Sequence, residues 1–342
     1  MLMNISKKLV VLGTGGTIAG TAQRAADNLG YTAAQLGVGE LLDAVPGLTH
    51  LLAGRTLVTE QVAQIDSKDM SFVVWQQLAL RVSHYLAQPD VTGLVITHGT
   101  DTLEETAYFL HVVLPGPLLA GRPVVLTCAM RPASSLTPDG PQNLLDAVAV
   151  ATAPGACGVL AVCAGTLHGA LEVQKVHPYR LDAFDSGDSG PLGYVEEGQV
   201  RLVRDWPIAP VDIAQAAIEK IVVWADWPRV EIVMNHAGAN GAIVQALLSQ
   251  NGANCSQAGP VRGIVVAATG NGTVHHELEA ALREAQAAGV TVWLATRCAS
   301  GRVLSAPGHA FPDSKGLSPV KARVALMLAL ISQPIMPRRP GP

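Results

Sequence analysis

The chain has 342 residues, of which 49% are hydrophobic and 15% charged, with 34 glycines and a formal net charge of -4. That balance excludes a disordered or fibrous protein and suits an α/β enzyme long enough for two domains. A slightly acidic chain with only 4% aromatic residues lacks both phosphate-binding charge and stacking platforms, so nucleic acid is excluded as a partner.

No apolar stretch reaches the roughly 20 residues of a membrane-spanning helix, so no membrane partner is expected. The apolar run after Lys7-Lys8 is broken by Gly13, Gly15 and Gly16, short of a secretory signal. The five cysteines, Cys128, Cys157, Cys163, Cys255 and Cys298, show neither a C-x-x-C pair nor zinc spacing. They read as small core hydrophobes of a reduced compartment, the cytoplasm.

Leu9-Val10-Val11 predicts a strand that runs into the turn Leu12-Gly13-Thr14-Gly15-Gly16-Thr17-Ile18-Ala19-Gly20. Such a turn delivers N–H groups and small hydroxyls to the carboxyl edge of a sheet, so Thr14 and Thr17 are candidate ligand contacts. Arg24 to Gly39 is a polar loop around Tyr31, long enough to serve as a flap. A short helix from Glu40 to Ala44 and a strand from Thr56 to Ile65 follow. Asp66-Ser67-Lys68-Asp69 then caps a helix from Met70 to Leu86, whose amino terminus would suit a carboxylate beside Ser67.

The design of the first turn recurs after the apolar strand Val91 to Thr97, in His98-Gly99-Thr100-Asp101-Thr102 ahead of a helix from Leu103 to Val113. Strand Pro123 to Cys128, helix Gln142 to Ala151 and strand Gly158 to Val162 continue an alternation that predicts a doubly wound, mostly parallel sheet. Thr166 to Gly193 carries Lys175 without clear periodicity, and a hairpin around Gly198 closes the domain. The predicted division is 1–205 as the larger amino-terminal domain, 206–228 as a Pro- and Trp-punctuated linker, and 229–342 as a smaller α/β parallel-sheet domain. In that second domain, strands 229–234, 263–268 and 290–295 alternate with helices 242–249, 274–288 and a last helix from Ser318-Pro319 to about Ser332.

Dinucleotide binding fails at Ile18, where the fingerprint needs a third glycine, and no lysine completes a P-loop. No cofactor or metal is expected: His275-His276 has no ligand spacing to a Cys or carboxylate pair. Nucleophilic catalysis is the better reading. A threonine hydroxyl needs a base or an activating partner, and Thr17, Tyr31, Thr100, Asp101 and Lys175 all stand in loops where they could converge. His98 and Arg131 are read as loop-structuring residues, Asp139 as a turn former, and Glu104-Glu105 as first-turn carboxylates.

Together with Ala129-Met130-Arg131-Pro132, Asp139-Gly140-Pro141, Gly190-Pro191-Leu192-Gly193-Tyr194 and Gly270-Asn271-Gly272, the two threonine motifs resemble the bacterial-type L-asparaginase family, which includes glutaminase-asparaginases. The resemblance implies hydrolysis of L-asparagine to L-aspartate and ammonia, with weaker action on glutamine. It further implies Thr17 as nucleophile with Tyr31 as its hydrogen-bonding partner, and Thr100, Asp101 and Lys175 as a second constellation with Lys175 as base. Ser67, Thr100, Asp101, Ala129 and Asn271 are the implied substrate contacts, Asn271 reaching across a subunit interface of a homotetramer built as a dimer of close dimers. Lys68 stands where relatives carry Gln or Glu, and Cys298 to Pro312 lacks their glutamate, which together imply weaker binding of asparagine. The alternative is a catalytically silent amino-acid sensor with the same fold, whose mark would be loss of one of these groups.

Overall fold

The apolar run ahead of the first glycine turn forms β1, Lys8–Gly15, buried from Leu9 onward. The structure is a computed structural model and describes residues 6–207, 227–250, 259–304, 308 and 310–332. Of the expected 206–228 linker, only residues 206, 207, 227 and 228 are among them, and Cys255 and the tail from Pro334 also lie outside. The chain separates into two units, Met1–Ile218 and Glu219–Pro342.

In the first unit β1 is followed by α1 (Val38–Asp43), α2 (Leu48–Leu52), β2 (Thr56–Ile65), α3 (Phe72–Leu86) and β3 (Val91–Thr97). Next come α4 (Leu103–Val113), α5 (Gly116–Leu119), β4 (Val124–Thr127), α6 (Gly140–Thr152) and β5 (Val159–Cys163). Short strands complete it: β6 (Thr166–Gly169), β7 (Gln174–Lys175), β8 (Phe184–Asp185), β9 (Gly193–Glu196) and β10 (Gln199–Leu202).

The eight-stranded sheet has the order β10-β9-β6-β5-β4-β3-β1-β2. Strands β2, β1, β3, β4 and β5 are mutually parallel, while β6, β9 and β10 form an antiparallel edge. The sheet is thus mostly parallel but mixed. Successive side chains of a strand point to opposite faces. Leu9, Val11, Val95 and Val125 accordingly pack with residues of α1, α2 and α6 in one core, while Val10, Leu12, Leu94 and Ile96, also fully buried, face the side of α3 and α4. On that side Trp75 stacks on Phe109 with ring centroids 4.9 Å apart and donates its indole N–H to Thr106 Oγ1 at 2.8 Å.

Because the chain places β2 on one side of β1 and β3 on the other, the strand order reverses between β1 and β3. Open α/β sheets bind ligands at the carboxyl ends of strands beside such a reversal. Both threonine turns leave the sheet there.

One expectation needs correction. Ser67 does not cap a helix that starts at Met70: residues Ser67–Asp69 form a separate 3-10 turn capped by Asp66, and Ser71 caps α3 by accepting from Val74 N. The segment 166–193 holds β6 and the antiparallel pair β7–β8, each of the latter only two residues long. Strands that short leave no period-2 signal in a sequence.

The second unit is a three-stranded parallel sheet in the order β11-β12-β13, with β11 at Arg229–Met234, β12 at Val261–Ala268 and β13 at Thr291–Thr296. Its helices are α7 (Ala242–Ser249), α8 (His276–Ala287) and α9 (Pro319–Ser332). Val266, Leu278, Leu282 and Leu294 lie in its core.

Candidate active site

The first turn starts with Thr14, whose hydroxyl donates to Thr97 O at 2.8 Å and is buried. Thr14 therefore joins β1 to β3 and is occupied structurally, which leaves Thr17 as the hydroxyl the turn presents. Gly16 stands at φ +84° directly against Gly99, where a Cβ would collide with the Gly99 backbone. Gly99 in turn has no room for a Cβ because Ser67 Oγ and Gly16 Cα lie against it. Three chain segments separated widely in sequence thus meet within van der Waals contact.

Thr17 begins a 3-10 turn, Thr17–Ala19, and is 8% exposed. Its Oγ1 lies 2.8 Å from Tyr31 Oη, a hydrogen bond between two hydroxyls. Gly20 makes this possible, because a Cβ there would strike the Tyr31 ring. The Tyr31 loop is closed by paired backbone bonds between Thr21 and Thr32, both 2.9 Å. It is fastened outward by Ala133 N to Gly20 O at 2.9 Å and Leu136 N to Ala25 O at 3.0 Å. The Asp27 carboxylate accepts Gly30 N and, less strongly, Leu29 N, which holds it below the ordinary carboxylate range.

The second constellation centres on Lys175, at the end of β7. Its ammonium donates to Thr100 Oγ1 at 2.8 Å and to Asp101 Oδ1 at 2.6 Å. The Lys175 side chain is 17% exposed and that of Asp101 53%, so the cation is mostly withdrawn while the carboxylate faces solvent. Asp101 is anchored through its backbone N–H, which donates to Ser67 Oγ at 3.2 Å, and Thr102 Oγ1 donates to Ser67 O at 2.8 Å. Ser67 is buried and organises this turn.

His98 is fully buried, with Nδ1 2.7 Å from Gly99 O. Burial lowers its pKa to about 4, against a smaller opposing effect of that carbonyl. It is a neutral ring at ordinary pH, fitting a loop-structuring residue. Asp139 accepts Met130 N and Arg131 N, both at 2.9 Å, and so shapes the loop that begins at Ala129. Asn143, which sequence reasoning passed over inside a plain helix, donates to Cys128 O at 2.9 Å and accepts Ala164 N at 3.0 Å.

Lys68 bridges Asp66 Oδ2 at 3.0 Å and Asp69 Oδ2 at 2.8 Å. Those hydrogen bonds, Asp69 first, raise its pKa. Thr17 with Tyr31, and Thr100 with Asp101, Lys175 and Ser67, are therefore brought together in the first unit. Asn271 belongs to the second unit, where its side chain donates to Leu304 O at 3.1 Å and accepts Leu304 N at 2.6 Å. No group of three or more metal-ligating side chains occurs among the described residues. No helix among them is long and apolar enough to cross a membrane.

Residues 8–207 match the family model described as asparaginase, N-terminal, and residues 229–335 match the glutaminase/asparaginase C-terminal domain. The chain is 35% identical over 329 residues to L-asparaginase 2 of Escherichia coli, covering 94% of this chain and 88% of that one. It is 35% identical over 331 residues to the glutaminase-asparaginase of Pseudomonas fluorescens, covering 94% and 86%. Among solved structures it is similar to a probable cytoplasmic L-asparaginase from Campylobacter jejuni, with a TM-score of 0.85 and 33% identity over 96% of each chain.

Proposed function

The chain belongs to the asparaginase family over both of its units, and from that premise we propose that it is an amidohydrolase converting L-asparagine to L-aspartate and ammonia, with weaker action on L-glutamine. The observation that carries the reading is the pair of activated hydroxyls on adjacent turns: Thr17 against Tyr31 at 2.8 Å and Thr100 against Lys175 at 2.8 Å. A sensor without catalysis would have no need of a lysine aimed at a threonine.

Thr17 Oγ1 attacks the side-chain amide carbon, its proton passes by way of Tyr31 Oη to the amide nitrogen, the C–N bond breaks to release ammonia, and an aspartyl ester is left on Thr17. Lys175, acting as a neutral amine in this step, then takes the proton of Thr100 Oγ1 while that oxygen takes one from the water that cleaves the ester. Backbone N–H groups at the turn stabilise the oxyanion, ordinarily the largest single contribution. The Asp101 carboxylate pairs with the substrate α-ammonium, the Ser67 turn receives its α-carboxylate, and Ala129 lines the amide end. Asn271 reaches the site from a neighbouring subunit of a homotetramer, a dimer of close dimers, in the cytoplasm. Lys68, held by Asp66 and Asp69, gives the α-ammonium no favourable contact, and Cys298 to Pro312 carries no Asp or Glu to supply one, so binding of asparagine is weak. A Michaelis constant in the low micromolar range would overturn that last point.

Ammonia release from asparagine and glutamine, measured for the parent and Thr17→Ala, tests the activity. Release from asparagine that falls by at least about 10³-fold in the variant is expected, the scale of losing an essential nucleophile. Thr100→Val should still release the first ammonia and accumulate the aspartyl ester, visible as a mass gain on quenched enzyme. Absence of release from both amides in the parent, with aspartate still bound, would establish the sensor instead.

A further inference from the structure

Thr127 of β4 lies opposite Val162 of β5 in the parallel ladder, so Cys128 and Cys163 are neighbours on the next rung. Their Sγ atoms are 3.1 Å apart, both residues are buried, and both thiols are free. Adjacent strands lie ~4.8 Å apart, inside the ~4.4–6.8 Å range of Cα separations that a disulfide spans. Closing the bond to about 2.05 Å needs only ~1 Å of approach.

That approach would act on the reaction centre. Asn143 holds both ends of the pair, taking Cys128 O on its amide nitrogen and Ala164 N on its amide oxygen. Ala164 follows Cys163 at φ 49°, a left-handed conformation that a non-glycine residue holds under strain. Cys128 leads directly into Ala129 and the Asp139-clamped loop. The charge of Lys175 also reaches the Cys128 thiol, opposing the upward push that the Cys163 thiol and burial exert on it.

We propose that Cys128 and Cys163 form a reversible oxidation site beneath the catalytic turns, joined by small hydroperoxides into a cross-strand disulfide that slows amide hydrolysis. Burial of both sulfurs excludes bulky disulfide oxidants and leaves a molecule the size of hydrogen peroxide as the fitting reagent. One thiol sulfur attacks a peroxide oxygen: the O–O bond breaks, an S–O bond forms, and the thiol proton passes to the departing oxygen, which leaves as water. The second thiol sulfur then attacks the sulfenic sulfur, forming the S–S bond and passing its proton to the expelled hydroxyl, which leaves as a second water. Two thiols lose two electrons and two protons, and the peroxide becomes two waters. The effect on turnover rests on the asparaginase reading; the cross-link does not.

The test uses the full chain with Cys157, Cys255 and Cys298 replaced by Ser, treated with hydrogen peroxide. Both remaining thiols should disappear, the intact mass should fall by the two hydrogens, and ammonia release should drop roughly ten- to hundredfold, the cost of a ~1 Å misplacement. Dithiothreitol should restore all three. Cys163→Ala in the same background should keep its basal activity and ignore peroxide. A mass gain of oxygen without a cross-link, a cross-link that leaves turnover unchanged, or equal inactivation of Cys163→Ala would each overturn the proposal. If the reduced chain releases no ammonia at all, the functional reading fails separately, while mass and aspartate affinity still decide the thiol site.

Discussion

His98 carries a buried imidazole that the hydrolysis does not need in charged form. Its pKa of about 4 lies below the ordinary 6.5, so the unfolded chain binds the extra proton first. The stability it contributes is therefore fully present above pH 6.5 and is lost as the pH falls toward 4, a swing of roughly 3 kcal/mol. His98→Asn, which keeps a donor near Gly99 O, should flatten that slope relative to the parent when urea midpoints are compared at pH 7 and pH 5. An unchanged slope would show that other groups set the acid sensitivity.

Lys68 shows how a departure from the family pattern is absorbed at the scale of one side chain. Two aspartates hold its ammonium, so its charge reaches the site already compensated. An exposed arrangement of this kind is screened by water and contributes little to stability. Lys68→Gln should lower the Michaelis constant for asparagine only about twofold and leave kcat unchanged, read from ammonia-release kinetics. A tenfold fall would mean that Lys68 faces the substrate directly.

At the scale of elements, the close packing of the two glycine turns is the most demanding feature. Gly16→Ala places a Cβ into the Gly99 backbone and forces alanine to φ +84°. We expect a loss of a few kcal/mol in urea unfolding and a fall in ammonia release beyond about 10²-fold, since the two hydroxyl pairs shift apart. The turns were legible in the sequence because each breaks a long apolar run with glycine and threonine in a fixed pattern. Lys175 stands among the loop residues that could converge, but its role as base comes from the resemblance, because β7 is two residues long and carries no periodicity. The Asp66-Ser67-Lys68-Asp69 run suits a helix cap, and the sequence alone points Ser67 to that role. Only the structure shows its hydroxyl spent on Asp101 N, a contact across 34 residues of chain. Asn143 and the Cys128–Cys163 rung were hidden for the same reason: lateral strand order decides them, and a sequence does not display it.

At the scale of the whole molecule, the two units match the two family models, yet Thr17, Tyr31, Thr100, Asp101 and Lys175, the proposed catalytic groups, all come from the first. If Asn271 serves the site of a neighbouring subunit, chains carrying Thr17→Ala and Asn271→Ala should complement each other. Coexpressed together, they should recover about a quarter of the parental ammonia release, because random pairing gives that share of sites with both groups intact. Sedimentation of the parent should show a mass of four chains. Recovery no greater than the better single variant would place both residues in the same subunit's site.

The bond from Thr14 to Thr97 spans 83 residues of chain and lies at the strand reversal where both hydroxyl pairs are mounted. Helices α3 and α4 can form from local contacts, but β1 pairs with β3 only by closing the long loop that holds α1, α2, β2 and α3, which follow β1 in the chain and lie outside the β1–β3 pair. Loop closure of that length is slow to nucleate. During refolding from urea, far-ultraviolet ellipticity should therefore return before ammonia release does, and the lag should lengthen in any variant that weakens the β1–β3 pairing. The reaction centre becomes a clock for the last long-range step of folding.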